Sequence, residues 1–278
     1  MPDGTIDGRR ARIRFERAAR SYLDAARLEA EVGGRMLERL DYIRLAPDRV
    51  LDAGSGPPQM LFRKRYPRAQ IVALDFSLRM LRARKKKLFE RNPPRAVCAD
   101  FGRVPLAAGA VDLVWSNMAL HWAADPSAAL REFHRVLAPD GLLMFSALGP
   151  DALAELRAAA GEARVHRFID MHDLGDMLVA AGFSAPVMDM ERLTFLYDGA
   201  DALLADLRAT GQTSARRDAP RRGLSGRRFV ADLKAKLGAG MRDGKLAVSY
   251  EVVYGHAWKG ALRKTADGRS IVQFARRP

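Results

Sequence analysis

A series of glycine, aspartate and asparagine positions in the first half of the chain has the residue types and spacing that hold a nucleoside. "VLDAGSG" (50–56) places Asp52, Gly54 and Gly56 at the end of a short apolar run. "QIVALD" (70–75) ends in Asp75, "RAVCAD" (95–100) in Asp100, and "VDLVWSN" (111–117) in Asn117. Gly54 and Gly56 permit close approach of backbone to a ligand. An acidic residue about 20 positions beyond such glycines accepts hydrogen bonds from both ribose hydroxyls, a role that falls to Asp75; Asp100 is placed to accept from an adenine amino group. Singly, each element has a plainer reading: Gly-x-Gly as a tight turn, and a strand-end Asp as a helix N-cap. The ordered series at four consecutive strand ends points to an adenosine pocket.

Such a series needs a sheet whose strands all deliver their carboxyl ends to one side. The pattern provides it. From Asp48 onward, short apolar runs at 50–54, 70–75, 95–100, 111–116 and 141–148 alternate with amphipathic stretches at 77–91 and 126–138. The second stretch opens on Pro126 and is followed by Pro139 and Gly141, the expected asymmetry of helix punctuation. Repeated strand and helix units of this length predict a doubly wound α/β fold with a parallel sheet covered on both faces. Before it, residues 9–42 carry apolar residues at helical spacing on a charged background. After it, 150–160 and 172–182 read as helices, the latter closed by Gly182, and 186–197 as a strand. Residues 199–241 read as helical and basic around an arginine-rich loop, and 246–260 returns to strand character. The expectation is one domain over 1–278: a helical lid at 1–44, a core at 45–197, a helical cap inserted at 198–246, and a final strand with the C-terminus at 247–278.

Composition narrows the function classes. The 278 residues are 48% hydrophobic, enough for a proper core, and the single cysteine, Cys98, excludes an intramolecular disulfide or a thiolate metal cluster. His134, His166, His172 and His256 are too scattered to suggest a metal site, so no metal is expected. No apolar run is long enough for a membrane span, and "MPDGTIDGRRARIRF" has no apolar stretch after its basic residues; a cytoplasmic location follows as the expectation. Forty-seven Lys and Arg against 33 Asp and Glu give a net charge of +14, a bias towards anionic partners. Much of the excess sits in "RMLRARKKK" (79–87) and "ARRDAPRRGLSGRR" (215–228). With only Phe229 near the arginine block and no zinc-finger, helix-turn-helix or RNA-binding signature, nucleic acid is not the expected partner.

The segments "VLDAGSG", "ALD", "AD" and "VDLVWSNMALHWAADPSAALREFHRVLAPDGLLMFSALGPDALAELR" resemble those of class I S-adenosylmethionine-dependent methyltransferases. The likeness is nearest to the malonyl-acyl-carrier-protein O-methyltransferases of biotin synthesis. It extends to "RFERAARSYLDAA" near the N-terminus, "FIDMHDLGDMLVAAGFSAPVMDMERLTFLY" in the middle and "SYEVVYGHAWKG" at the last strand. The resemblance implies a Rossmann-like fold with S-adenosylmethionine as co-substrate and a malonyl-loaded acyl-carrier protein as partner. By the same resemblance Asp52, Gly54 and Gly56 line the methionine side, Asp75 holds the ribose, Asp100 and Phe101 the adenine, Asn117 lies beneath the sulfonium, and Tyr22 belongs to the lid.

Methylation of a carboxylate is an in-line displacement by a group already ionised at neutral pH, so positioning and desolvation carry the chemistry. An arginine is expected to grip the acceptor carboxylate; Arg216, Arg217, Arg227 and Arg228 of the cap are the candidates. The equal alternative is that they neutralise an acidic carrier protein. For His121 and Trp122 the expected role is structural. One departure stands out: where family members usually continue the glycine loop with another small residue, this chain has Pro57 and Pro58, which remove two backbone donors where a helix start would hold a cofactor carboxylate. The second reading is therefore a non-methylating relative, comparable to the mitochondrial complex I assembly proteins that share the same core. A small-molecule methyltransferase differs only in its acceptor.

Overall fold

The computed structural model describes residues 6–57, 62, 65–84, 92–218 and 226–260. Three helices open the chain: α1 (Gly8–Ala18), α2 (Tyr22–Ala25) and α3 (Arg27–Arg39). Asp7 caps α1 by accepting from the Arg10 N–H at 3.1 Å, which satisfies one of the donors a helix start leaves unpaired. The core follows as β1 (Arg49–Ala53), β2 (Gln70–Asp75), α4 (Leu78–Arg82), β3 (Arg95–Cys98), β4 (Val111–Ser116), α5 (Pro126–Val136) and β5 (Leu137–Leu148). Then come α6 (Ala154–Ala160), α7 (Met171–Ala180), β6 (Ser184–Tyr197), α8 (Ala200–Ala209), α9 (Gly226–Ala239) and β7 (Leu246–Trp258).

The seven strands form one sheet in the order β3-β2-β1-β4-β5-β7-β6. The pairings among β1 to β5 are parallel, and β7 lies antiparallel between β5 and β6. The final strand thus fills the interior of the sheet instead of extending its edge. The order reverses between β1 and β4, which opens a crevice beyond the carboxyl ends of those strands.

Alternation along the strands sends neighbours to opposite faces. Val50, Leu113, Leu142 and Val252 join the cluster packed under α3, α6, α8 and α9; Leu51, Val114, Leu143 and Val253 join the one packed under α5 and α7. The cap helices α8 and α9 share the first of these faces, burying Leu203, Leu207, Leu233 and Leu237.

Two sequence expectations shift. The helix read over 126–138 ends at Val136 and β5 begins at once, because the stretch at Pro139–Gly141 is tied to the end of β7: the Asp140 N–H donates to the Lys259 carbonyl and the Lys259 N–H to the Gly141 carbonyl, both at 2.8 Å. The helix read from 150 starts at Ala154, after Leu153 in the left-handed region at φ 59°. Gly182 closes α7 as read, with φ 94° and its N–H donating to the Val179 carbonyl. Much of the stretch read as a helix over 77–91 and of the arginine-rich loop, with Arg221 and Arg222, lies outside the described residues. Among those described, no helix is long and apolar enough to cross a membrane.

At Gly255, in the middle of β7, a Cβ would stand 2.4 Å from two carbons of the Phe145 ring and 2.9 Å from the Met188 sulfur. Gly255→Ala is therefore expected to lower stability by about 1–3 kcal/mol through overpacking, measured as a lower urea midpoint with an unchanged slope.

Candidate functional site

The crevice is formed by loops that glycine allows to meet. After β1, Gly54 adopts φ 78°, and a Cβ there would lie 2.2 Å from the Ala119 Cβ and 3.0 Å from the Phe101 ring. The loops following β1, β3 and β4 therefore converge only because position 54 has no side chain. Gly56 has φ 58°, and a Cβ there would stand 3.5 Å from the Tyr22 ring. On the far side, a Cβ on Gly33 of α3 would be 3.0 Å from Asn117 Nδ2, so α3 also presses close to the end of β4.

Tyr22, Gly54, Gly56, Asp75, Asp100, Phe101 and Asn117 line one lobe of about 540 Å³, with Phe76, Met80 and Trp122 completing its apolar wall. Tyr22, Gly54 and Asn117 continue into a second lobe of about 530 Å³, where Asp52 joins them. All eight residues expected at the cofactor site thus come together.

Asp75 receives hydrogen bonds from the Gly56 N–H at 3.0 Å and the Ser77 N–H at 2.7 Å. Burial still pushes its carboxyl up to about 6, against the pull of those two donors. Burial pushes Asp52 up to about 7, with the Asp75 charge adding to it. Asn117 is fixed at both ends of its amide: Nδ2 donates to the Glu29 carbonyl at 2.8 Å and Oδ1 accepts from Ser146 at 2.9 Å. Asp100 accepts from the Gly102 N–H at 2.8 Å, so it serves as a turn cap while lining the cleft. The half-buried Tyr22 hydroxyl is held well above its usual range, by burial first and then by the charges of Glu29, Asp75 and Asp52.

Glu29 is the site residue that the strand-end series missed. It lies on the buried face of α3 with Leu28, Val32, Gly33 and Met36, and it lines the same lobe as Asp52. Its signal was an acidic residue at helical spacing within an apolar stripe.

The loop prolines differ in what the structure describes. Pro57 is buried, and Pro58 lies outside the described residues. The neighbouring amides already have protein partners: Gly54 and Ser55 donate to the Leu74 carbonyl at 2.8 and 3.1 Å, and Gly56 to Asp75.

Beyond Trp122 a second cleft of about 1120 Å³ opens beneath the cap, with leucines of α6, α8 and α9 on its walls and Arg14, Arg164, Arg208 and His166 among its polar groups. The four arginines expected to grip an acceptor are not among the described residues that line this cleft. Arg216 is 2% exposed, its guanidinium donating to Asp218 and to the carbonyls of Glu162 and Val165. Arg217 donates to the Ile6 carbonyl at 3.3 Å, and Arg227 and Arg228 are exposed in the first turn of α9. Sequence could not separate these roles, because the choice of arginine depends on how the cap folds back onto α1.

His121 accepts from the Leu148 N–H at 3.3 Å, and burial, with His166 nearby, lowers it to about 3. Burial and the charges of Arg216 and Arg14 lower His166 to about 4. Both are neutral at physiological pH, and Trp122 packs edge-on against His166 with ring centroids 4.9 Å apart. Trp122 is buried, and it is at the same time a wall shared by the two clefts. Among the described residues no group of three His, Cys, Asp or Glu is arranged for a metal ion.

The raised carboxyl of Asp52 gives a sign that can be measured. In the unfolded chain the group titrates near 4, so between about 4 and 7 the folded protein binds the proton more tightly. The resulting stabilisation is complete below about pH 4 and is lost as pH rises through about 7. Ligand-free Asp52→Asn, which has no charge to bury, is expected to exceed wild type by on the order of 1 kcal/mol or more at about pH 8, with the gap closing towards pH 5. Urea unfolding of both proteins at the two pH values checks this.

Comparison with known proteins places this geometry. The methyltransferase-domain family profile matches residues 51–145, from β1 into β5. The YcgJ protein of Bacillus subtilis superposes with a TM-score of 0.59 at 18% identity, covering 84% of this chain and 99% of that one, a likeness of fold. A phosphoethanolamine N-methyltransferase 2 of Haemonchus contortus, solved with phosphomonomethylethanolamine and S-adenosylhomocysteine, gives a TM-score of 0.50 at 16% identity, covering 82% of this chain and 53% of that one. A malonyl-[acyl-carrier protein] O-methyltransferase of Laribacter hongkongensis is 50% identical over 286 residues, 96% of this chain and 96% of its own. That of a Methylovorus species is 49% identical over 282 residues, 97% of this chain and 95% of its own. Identity at that level across nearly the whole length means that the chain belongs to the malonyl-[acyl-carrier protein] O-methyltransferase family.

Proposed function

We propose that the protein transfers the methyl group of S-adenosylmethionine to the free carboxylate of a malonyl thioester carried on acyl-carrier protein, in the cytoplasm, as an early step of biotin synthesis. The observation that carries this reading is the pairing of two unlike clefts across Trp122. One is walled by buried carboxylates and suits a cationic nucleoside; the other is apolar with arginines and suits an acyl chain ending in an anion. The non-methylating reading is not favoured, since relatives sharing half the sequence bear the name of O-methyltransferases.

The residues fit the co-substrate. Glu29 Oε2 is buried without a hydrogen-bond partner, and Asp52 and Asp75 are both 6% exposed. Buried carboxylates in this state call for hydroxyl or cationic partners. Asp75 would take the ribose hydroxyls, Asp100 and Phe101 the adenine, Asp52 with Gly54 and Gly56 the methionine end, and Tyr22 would cover them. Bound there, S-adenosylmethionine supplies an electrophilic methyl on a sulfonium centre.

The chain's own part is to align, desolvate and hold. A new C–O bond forms at the acceptor carboxylate as the C–S bond breaks and its electron pair passes to sulfur. Asn117 is locked by Glu29 and Ser146 and so keeps its place without a ligand, the kind of preorganisation that lowers the barrier to in-line attack. Neutral His121 and His166 leave the acceptor anion to be matched by arginine charge. Arg14, Arg164 and Arg208 are the arginines on that wall, and the exposed Arg227 and Arg228 would steer an acidic carrier protein. Methylation masks the malonyl charge, so that fatty-acid machinery accepts the chain for elongation towards pimelate.

Appearance of the methyl ester on malonyl-carrier protein, followed by mass spectrometry, tests the reading directly; no product would overturn it. Asp75→Ala is expected to weaken S-adenosylhomocysteine binding about tenfold or more, seen by calorimetry. Leu204→Trp, which fills the acceptor cleft, is expected to raise KM for the carrier substrate about tenfold while leaving S-adenosylhomocysteine affinity within about twofold. Raising salt from about 50 to about 500 mM is expected to lower kcat/KM for the carrier substrate well beyond its effect on a malonyl thioester lacking the protein.

A further inference from the structure

We infer that Glu29 is the receptor for the α-ammonium group of the bound nucleoside's amino-acid tail, and that Gln212 of the cap holds it in position. The inference rests on the cofactor reading above and assigns a determinant of ligand choice outside the strand-end series.

The geometry comes first. Glu29 is 8% exposed, on the lobe shared by Asp52, Gly54 and Asn117. Its Oε1 accepts a hydrogen bond from Gln212 Nε2, while its Oε2 has no partner. An isolated buried carboxylate oxygen is costly, and here burial has pushed the group up to about 7. Asp52, on the same lobe, is raised by burial too. Two buried acids lining one lobe, one with an oxygen that has no hydrogen-bond partner, match a compact cation with several N–H donors, which a primary ammonium is. A ribose or an adenine offers no such charge, and the other lobe already provides Asp75 and Asp100 for them.

Gln212 gives Glu29 a second connection. Gln212 lines the acceptor cleft, so the bond from Glu29 Oε1 crosses from one cleft wall to the other. The backbone carbonyl of the same residue holds Asn117. One residue thereby joins the end of β4, the cap loop and the lobe, and the bond from Gln212 fixes its carboxylate.

The experiment compares two ligands by calorimetry: S-adenosylhomocysteine and the same thioether lacking the α-amino group. Wild type is expected to prefer S-adenosylhomocysteine by about tenfold or more, the size of a charge-assisted hydrogen bond. Glu29→Gln keeps the shape and is expected to lose most of that preference, binding the deaminated ligand within about twofold of wild type. Gln212→Leu removes the donor that holds the carboxylate, and is expected to narrow the preference less.

A preference unchanged in Glu29→Gln, or a loss shared equally by both ligands, would overturn the inference, the latter by showing a merely structural role. Equal binding of the two ligands by wild type would also overturn it while leaving the cofactor reading in place. Failure of wild type to bind either ligand would remove both. If Glu29→Gln does not fold, an intact preference in Gln212→Leu counts against the inference and a narrowed one supports it.

Discussion

The crevice depends on a steric allowance at Gly54. A methyl group there would overlap Ala119 and press on Phe101, forcing apart the loops after β1, β3 and β4. Asp52 stands at the end of β1, the loops after β3 and β4 carry Asp100 and Asn117, and Asp75 is bonded to the β1 turn through Gly56. Close backbone approach at one position thus brings together side chains that are far apart in sequence. The reversal of strand order between β1 and β4 decides where this happens, since it is there that the connections lead away to opposite faces of the sheet.

The same crevice concentrates buried acid groups. Asp52, Asp75 and Glu29 are buried near one another, and each is raised from its ordinary range chiefly by burial. Elsewhere this chain pairs its partly buried charges: Glu132 grips Arg135, and Arg216 grips Asp218. Strongly basic as a whole, the protein nevertheless gathers three buried carboxyl groups at this crevice. Affinity at such a site comes from supplying partners to carboxylates that are already desolvated, so little further dehydration opposes binding.

How much could be read in advance follows the range of the interactions. Strand ends were legible because Gly54, Gly56, Asp75, Asp100 and Asn117 each follow a short apolar run, and the two faces of the sheet because Val50 and Leu51 alternate. Pairing between distant segments was not. Nothing local places β7 between β5 and β6, or ends α5 at Val136, since both depend on hydrogen bonds to the last strand. Glu29 sat in plain view at helical spacing, but a charged residue in an amphipathic helix ordinarily faces water, and it is the packing of Leu28, Val32 and Met36 into the core that turns this face inward. The arginines were indistinguishable because the roles of Arg14 and Arg216 are set by the fold of the cap onto α1.

The join between cap and N-terminus is dense. Ile6 and Arg216 form a β-bridge, the Asp7 N–H donates to the Ala215 carbonyl, and Arg10 and Arg217 reach across in opposite directions. The helices that cover the first cleft and the loop that walls the second are therefore tied together by hydrogen bonds. A substitution that reshapes the second cleft through this loop also meets the bonds that hold the N-terminal helices, so a change in one cleft is felt at the wall of the other.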